Sequence, residues 1–234
     1  MHELHILGGG ASAGLVKRCS ADFEQTHHAR LHGTFGAVGA MKTRLLEGAP
    51  CDVLILTQAL IESLVADGQA LADSVTPVGV VMTGVAVLEG EVAAPLTDAD
   101  DLRQRLLQAS AVYFPDPQLA TAGIHFMKVL QELGVVQALG SRLRPHPNGA
   151  TAMKAMADSG DPKAIGCTQV TEILITPGVK WIGDLPKGLE LATLYTAAVT
   201  QRSPAPDLAR ALVAQLSGPA RAADRAQAGF LPVS

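Results

Sequence analysis

A glycine-rich stretch near the start of the chain has the residue types and spacing to bind an anion. The short apolar segment 4–7 is followed by residues 8–14, Gly-Gly-Gly-Ala-Ser-Ala-Gly, and helical spacing begins at once. When a strand leads through a loop of small residues into a helix, the first N–H groups of the helix have no partner within it. These N–H groups face the space beyond the end of the strand. Such a place binds phosphate, another oxyanion or a carboxylate.

Three further helix starts share this small-residue character. They lie at residues 32–40, 120–123 and 148–151, so Gly123 and Gly149 fall where a ligand could approach the backbone closely. In open α/β sheets, ligands bind at the carboxyl ends of strands. We therefore expect the four starts to surround one small anion. Thr34 is a possible hydroxyl donor there, or alternatively a helix cap.

The first loop also matches two other motifs. Gly8-x-Gly10-x-x-Ala13 fits the dinucleotide fingerprint, but no carboxylate stands about 20 residues later to bind a ribose. Gly10-x-Ser12-x-Gly14 fits the hydrolase elbow, but only one strand precedes it, whereas the elbow follows a middle strand of a larger sheet. Both are weaker alternatives to an anion site, as is a purely structural loop, and we expect no cofactor.

Two titratable residues are candidates for proton transfer. His125 falls in the first turn of a helix at one of the expected anion sites, and Glu172 follows another strand. A helix-face histidine and an ordinary surface carboxylate are the alternatives. His28 and His32 have ligand-like spacing, but a strand at residues 30–34 would hold them roughly 13 Å apart, so we expect no metal site.

The elements that position these residues alternate between strands and amphipathic helices, which is typical of an α/β fold with mainly parallel sheets. Strands are expected at 4–7, 30–34, 52–56, 111–114 and 164–167. Two longer β segments, near 78–87 and 189–199, bracket the middle of the chain. The sequence therefore predicts two lobes, residues 1–80 with 195–234 and residues 81–194, with a ligand cleft between them.

Composition excludes several classes of function. The 234 residues carry a net charge of −4 and only 3% aromatic residues, which disfavours a nucleic-acid partner. No apolar run reaches the roughly 18 residues of a membrane span. The three cysteines have no metal-type or disulfide-type spacing.

Several segments, in the same order along almost the whole chain, resemble one protein family. These segments are residues 4–15, 33–39, 45–53, 115–117, 122–125 and 164–169. The chain is similar to the type II periplasmic substrate-binding proteins of ABC importers, within them to the molybdate-binding-protein-like group. The resemblance implies a two-lobed fold, each lobe a mainly parallel sheet flanked by helices.

The resemblance also implies which residues contact the ligand. Carried over by position, the contacts are Ala11, Ser12, Ala37, Val38, Gly39, Ala122, Gly149 and Gln169. The pattern of the helix starts itself adds Gly10, Gly123 and His125 as candidate ligand-binding residues. Oxyanion binders of this group place serines in the first two loops and a capping tyrosine, where this chain has mostly alanine, valine, glycine and Gln169. A buried tetrahedral dianion needs several donors, so an organic carboxylate fits better than molybdate.

These observations leave two main functions open. The first is a substrate-binding protein for a small anion, with an ABC importer as a possible partner. The second is a cofactor-free isomerase of an unsaturated carboxylate such as aconitate, with His125 or Glu172 as base. A sensor domain is a third possibility. No signal peptide precedes the first strand, which favours a cytoplasmic location unless a leader has been removed.

Overall fold

The structure, a computed structural model, describes residues 2–233. The chain forms two compact units. The first consists of the chain up to Val81 together with the chain from Thr193, and the second consists of Met82–Ala192. The chain passes from the first unit to the second within one long strand, Thr76–Leu88, and returns at the strand Ala192–Val199.

Nine strands and ten helices make up these units within the described residues. The strands are β1 His2–Gly9, β2 Ala29–Gly36, β3 Val53–Thr57, β4 Thr76–Leu88, β5 Val112–Pro115, β6 Leu143–His146, β7 Ile165–Gln169, β8 Val179–Asp184 and β9 Ala192–Val199. The helices are α1 Ala13–His27, α2 Val38–Leu46, α3 Gln58–Ala66, α4 Ala99–Gln108, α5 Thr121–Glu132, α6 Val136–Leu139, α7 Gly149–Ser159, α8 Val170–Leu174, α9 Pro206–Ser217 and α10 Ala222–Gln227.

The sheet of the first unit has the order β2-β1-β3-β9. β1 pairs in parallel with both β2 and β3, whereas β9 is antiparallel to β3. The helix α1 turns Leu15, Val16, Cys19 and Phe23 into the core, as its spacing predicts. The parallel pairing brings the carboxyl ends of β1 and β2, which carry the first two small-residue loops, to the same edge.

The sheet of the second unit has the order β4-β7-β5-β6, with β8 on the other side of β4. β5 is parallel to β6 and β7, while β4 is antiparallel to β7 and β8. A core of its own surrounds Phe114, Phe126 and Leu130. The predicted α/β class is confirmed.

Some boundaries differ from those that the sequence predicts. β2 runs to Gly36 rather than to residue 34, so Thr34 lies inside the strand and not in the loop that follows. Two strands, β6 and β8, were not predicted. Pro145 is tolerated in β6 because this strand lies at the edge of the sheet. Among residues 2–233, no helix is both long enough and apolar enough to cross a membrane.

Candidate functional site

The first two glycines of the opening loop serve packing inside the first unit. A Cβ at Gly8 would lie 2.6 Å from Ser12 Oγ and 2.8 Å from the ring of Phe35. One at Gly9 would lie 2.7 Å from the ring of Tyr195 and 2.8 Å from Val38. Close packing therefore explains part of the glycine motif without any ligand.

The rest of this loop forms a buried helix start. Gly10–Ser12 make a single 3-10 turn that leads directly into α1, and all three residues are buried. The hydroxyl of Ser12, which is fully buried, donates to the carbonyl of Gly9 at 2.8 Å. Because that proton has an internal acceptor, Ser12 resembles neither a free oxyanion donor nor an exposed hydrolase nucleophile. The backbone N–H groups of Gly10, Ala11 and Ser12 are the donors that this loop offers.

The second helix start, at α2, likewise offers only backbone donors. Ala37 occupies the N-cap position and makes no side-chain cap, and Val38 begins the helix. Both residues are buried, while Gly39 is half-buried. Thr34 is half-buried within β2, away from the cap position.

The third helix start, at α5, follows a tight turn that its neighbours hold in place. Asp116 Oδ1 accepts from the N–H groups of Gln118 at 2.7 Å and Leu119 at 2.9 Å. A Cβ at Gly123 would overlap the carbonyl oxygens of Pro115 and Asp116, so glycine allows the helix to lie against this turn. Ala120 is the uncapped N-cap residue. Ala120, Ala122 and Gly123 are all buried.

At the fourth helix start, that of α7, the backbone N–H groups donate hydrogen bonds to other groups of the protein. Asn148 Oδ1 accepts from the N–H of Thr151 at 2.9 Å, and the Thr151 hydroxyl completes a capping box. The backbone of Gly149 and Ala150 hydrogen-bonds to the carboxyl of Glu172. The first three N–H groups of α7 therefore have acceptors, and a Cβ at Gly149 would overlap Glu172 Oε2.

Glu172 is a buried carboxyl rather than a surface one, so the alternative of an ordinary surface carboxylate is wrong. Glu172 is only 4% exposed, and the Thr168 hydroxyl donates a hydrogen bond to Glu172 Oε2 at 2.6 Å. Burial raises the pKa of Glu172, against the opposing effect of Thr168 and of backbone donors at Ala150, Gly149 and Gln169.

Burial distinguishes the first three helix starts from those of α3 and α9, although the five-residue helix α8 is also uncapped and buried at its start. The helices α3 and α9 also begin without side-chain caps, but their first residues are exposed, so water can satisfy the N–H groups. The exposed α4 is capped by Asp98. Buried backbone N–H groups require an acceptor. The starts at Gly10–Ser12, α2 and α5 therefore provide donors suited to a bound anion.

His125 lies in α5 with its ring fixed by one hydrogen bond. Nε2 is 2.8 Å from the carbonyl oxygen of Leu189, and because a carbonyl only accepts, Nε2 carries the proton. In the neutral ring, Nδ1 is then the acceptor. This tautomer could take a proton from a bound molecule.

Gln169 and several buried hydroxyls lie around the end of β7. Gln169 is the N-cap residue of α8 and is buried. The hydroxyls of Thr83 and Thr171 have no hydrogen-bond partner among residues 2–233, although both threonines are fully buried. In the first unit, the buried hydroxyls of Thr193 and Thr196 likewise have no hydrogen-bond partner among the described residues. The sequence reasoning missed these threonines because nothing in their local pattern distinguishes them from core residues.

The histidines do not form a metal centre within the described part of the chain. His28 ends α1 in the left-handed conformation, and His32 stacks on His5 from the neighbouring strand, with ring centroids 5.1 Å apart. Across residues 2–233, no group of three or more histidine, cysteine, aspartate or glutamate side chains could hold a metal ion.

Comparisons with known proteins agree with this architecture. The aconitate isomerase of a Pseudomonas species is 26% identical over 98% of this chain and 88% of that protein. The periplasmic molybdate-binding protein of Azotobacter vinelandii superposes with a TM-score of 0.81 at 16% identity, over 99% of this chain and all of that one. The sulfate-binding protein SubI of Mycobacterium tuberculosis gives 0.78 at 17% identity, over all of this chain and 88% of that one.

The structural similarities confirm the predicted type II periplasmic-binding-protein fold. The family model described as bacterial extracellular solute-binding protein matches residues 4–231, which is nearly the whole chain. The chain therefore belongs to the bacterial extracellular solute-binding protein family.

Proposed function

We propose that this solute-binding protein binds a small organic carboxylate at its buried, uncapped helix starts. The observation that carries the proposal is the contrast among the helices. The starts at Gly10–Ser12, α2 and α5 are buried without a side-chain acceptor, as is that of the short helix α8, whereas α4 and α7 are capped and α3 and α9 are exposed. Backbone N–H groups at a helix start favour an anion.

A carboxylate suits these donors better than a tetrahedral oxyanion does. The hydroxyl of Ser12 already donates to Gly9, and the start of α2 supplies Ala37 and Val38 in place of hydroxyl side chains. A tetrahedral dianion concentrates four oxygens at one place, whereas each carboxylate group presents only two, so each group needs fewer donors around it.

Isothermal titration tests the proposal directly. The protein is titrated with succinate, tricarballylate, cis-aconitate, trans-aconitate, sulfate and molybdate. We expect heat of binding from at least one carboxylate and weaker binding of both inorganic anions. The proposal would be contradicted if no carboxylate gave heat of binding, or if molybdate or sulfate bound more tightly than every carboxylate.

A cap variant tests the location of the site. Ala120→Asp places a carboxylate at the buried start of α5, where it would compete with a bound anion for the same N–H groups. We expect affinity to fall more than about tenfold, or roughly 1.4 kcal/mol. Ala205→Asp is the matched control, because α9 is an uncapped but exposed start. Equal effects of both substitutions would place the anion elsewhere.

The second candidate function is isomerisation of an unsaturated carboxylate such as aconitate. The similarity to aconitate isomerase over nearly the full chain favours it, and so does the tautomer of His125 with Nδ1 as acceptor. Incubation with cis- or trans-aconitate, followed by ultraviolet absorbance, tests this activity. We expect His125→Gln, which can still donate to Leu189, to lower the rate by about 10²–10⁴-fold. No absorbance change at high protein concentration would exclude aconitate as substrate.

We also propose that the protein is exported and delivers its solute to an ABC importer. The family description, which refers to extracellular proteins, supports this location. Immunodetection after cell fractionation tests it: the protein is expected in the periplasmic fraction. Recovery from the cytoplasm alone would favour an enzyme or sensor instead.

A further inference from the structure

Two buried threonines of the second unit have hydroxyl groups without a protein partner. Thr83 is 0% exposed and Thr171 is 1% exposed, and neither hydroxyl oxygen is hydrogen-bonded to any of residues 2–233. Leaving a buried hydroxyl unsatisfied destabilises the folded protein, because the group loses its hydrogen bonds to water. Valine has the same shape without this cost, so folding alone does not account for threonine at either position.

The two threonines belong to elements of the second unit that both adjoin the end of β7. Thr83 on β4 is the register partner of Gln169, the last residue of β7. Thr171 follows two residues later, in the first turn of α8.

The neighbouring polar side chains are already engaged. The Thr168 hydroxyl donates to Glu172, and the carboxyl of Glu172 also bonds to the backbone at the start of α7. Thr168 therefore has an internal structural role that Thr83 and Thr171 lack, although all three are equally buried.

We propose that the hydroxyls of Thr83 and Thr171 donate hydrogen bonds to oxygen atoms of the bound carboxylate solute. This inference rests on the proposed carboxylate-binding function and adds two specificity-determining residues to it. A solute oxygen at this position would distinguish solutes that carry it from analogues that lack it.

Valine and serine substitutions test the inference through stability and binding together. Thr83→Val and Thr171→Val are expected to leave the melting temperature of the solute-free protein unchanged or higher. Thr168→Val, the matched control with an engaged hydroxyl, is expected to lower it by about 3–8 °C. Each of the first two variants is expected to weaken binding of trans-aconitate, or of the tightest carboxylate in the titration panel, about tenfold.

Thr83→Ser and Thr171→Ser keep the hydroxyl, so their affinities are expected to stay within about threefold of the original. The inference is overturned if the valine variants melt as low as Thr168→Val, since the hydroxyls would then have structural partners such as bound water. Unchanged affinity in both valine variants overturns it as well. Failure of the proposed function is a separate result: the unmodified protein would bind no carboxylate, while the melting temperatures would still report whether the hydroxyls are engaged.

Discussion

Glu172 shows what a carboxylate needs in order to be buried in this protein. Its oxygens receive a hydrogen bond from the Thr168 hydroxyl, and it is further bonded to the backbone of Gly149, Ala150 and Gln169. Backbone N–H groups at a helix start are the same kind of donor that we propose for the solute. Glu172, which lies in α8 and bonds to the start of α7, is therefore an internal counterpart of the solute carboxylate that we propose.

The raised pKa of Glu172 predicts a specific pH dependence of stability. A carboxyl whose pKa is higher in the folded than in the unfolded protein stabilises the fold at low pH. That contribution is complete below its ordinary pKa of 4.5 and is lost as pH rises through the folded value. We expect the unfolding free energy of the original protein, minus that of Glu172→Gln, to decrease as pH rises above 4.5.

Denaturant unfolding of both proteins between pH 4 and 8 measures this difference. Other carboxyls, such as Asp101 and Asp161 with their lowered pKa values, contribute equally to both proteins and cancel. A difference that is constant or that increases with pH would be inconsistent with a raised pKa at Glu172.

Gly149 is expected to tolerate no side chain. A Cβ there would overlap Thr168 Oγ1 and Glu172 Oε2, which are held by their mutual hydrogen bond. Gly149→Ala should therefore destabilise the protein by about 1–3 kcal/mol, measured by denaturant unfolding. Gly36→Ala is the control, because its Cβ would meet only the flexible end of Met41 at 3.1 Å. Equal losses in both variants would refute the steric explanation.

The placement of α5 depends on the turn that precedes it. The turn is closed by the two N–H groups that Asp116 Oδ1 accepts, and Gly123 lies directly against its carbonyl oxygens. These contacts fix the position of α5 relative to the turn, and so fix the position of its buried start.

Displacing α5 from its turn should affect both stability and binding. Gly123→Ala is expected to cost about 1–3 kcal/mol, because backbone atoms cannot move aside as a side chain can. It should also weaken carboxylate binding, as measured by titration calorimetry. Ile124→Ala, in the same turn but partly exposed, is expected to change both little. Unaltered binding in Gly123→Ala would show that α5 does not contact the solute.

Local patterns predicted most helices and strands but not all of them. The start of α7 at residue 149 and the heptad-like spacing of α5 could be predicted, because caps and helical periodicity are local. The strands β6 and β8 could not, since β6 contains Pro145 and each is recognisable only by its pairing partner. The engagement of Glu172 with α7 was inaccessible for the same reason: it joins residues more than 20 positions apart.

The first unit is assembled from two distant parts of the chain, and Asp52 joins them. Its carboxylate accepts from the N–H of His5 at 2.7 Å and from the hydroxyl of Ser203. Its backbone carbonyl accepts from the N–H of Thr200 at 2.9 Å. This buried residue therefore connects the middle of β1 and the start of β3 with the segment after β9.

Removing this connection should weaken the first unit strongly. Asp52→Ala would leave the N–H of His5 and the hydroxyl of Ser203 without their acceptor, at an expected cost of about 3 kcal/mol. Asp73→Ala breaks the exposed ion pair with Arg210 and should cost less than about 1 kcal/mol. Denaturant unfolding compares the two variants. Similar losses would mean that Asp52 is not the connection that the geometry indicates.

The divided construction of the first unit has a consequence for biosynthesis. When the ribosome has completed residues 82–192, the second unit is already a continuous, finished segment, but the first still lacks β9 and α9. Until residue 199 emerges, the edge of β3 that later pairs with β9 has no partner strand. Nascent chains would thus pass through a stage with an open sheet edge, which is prone to misassembly and a natural target for chaperones.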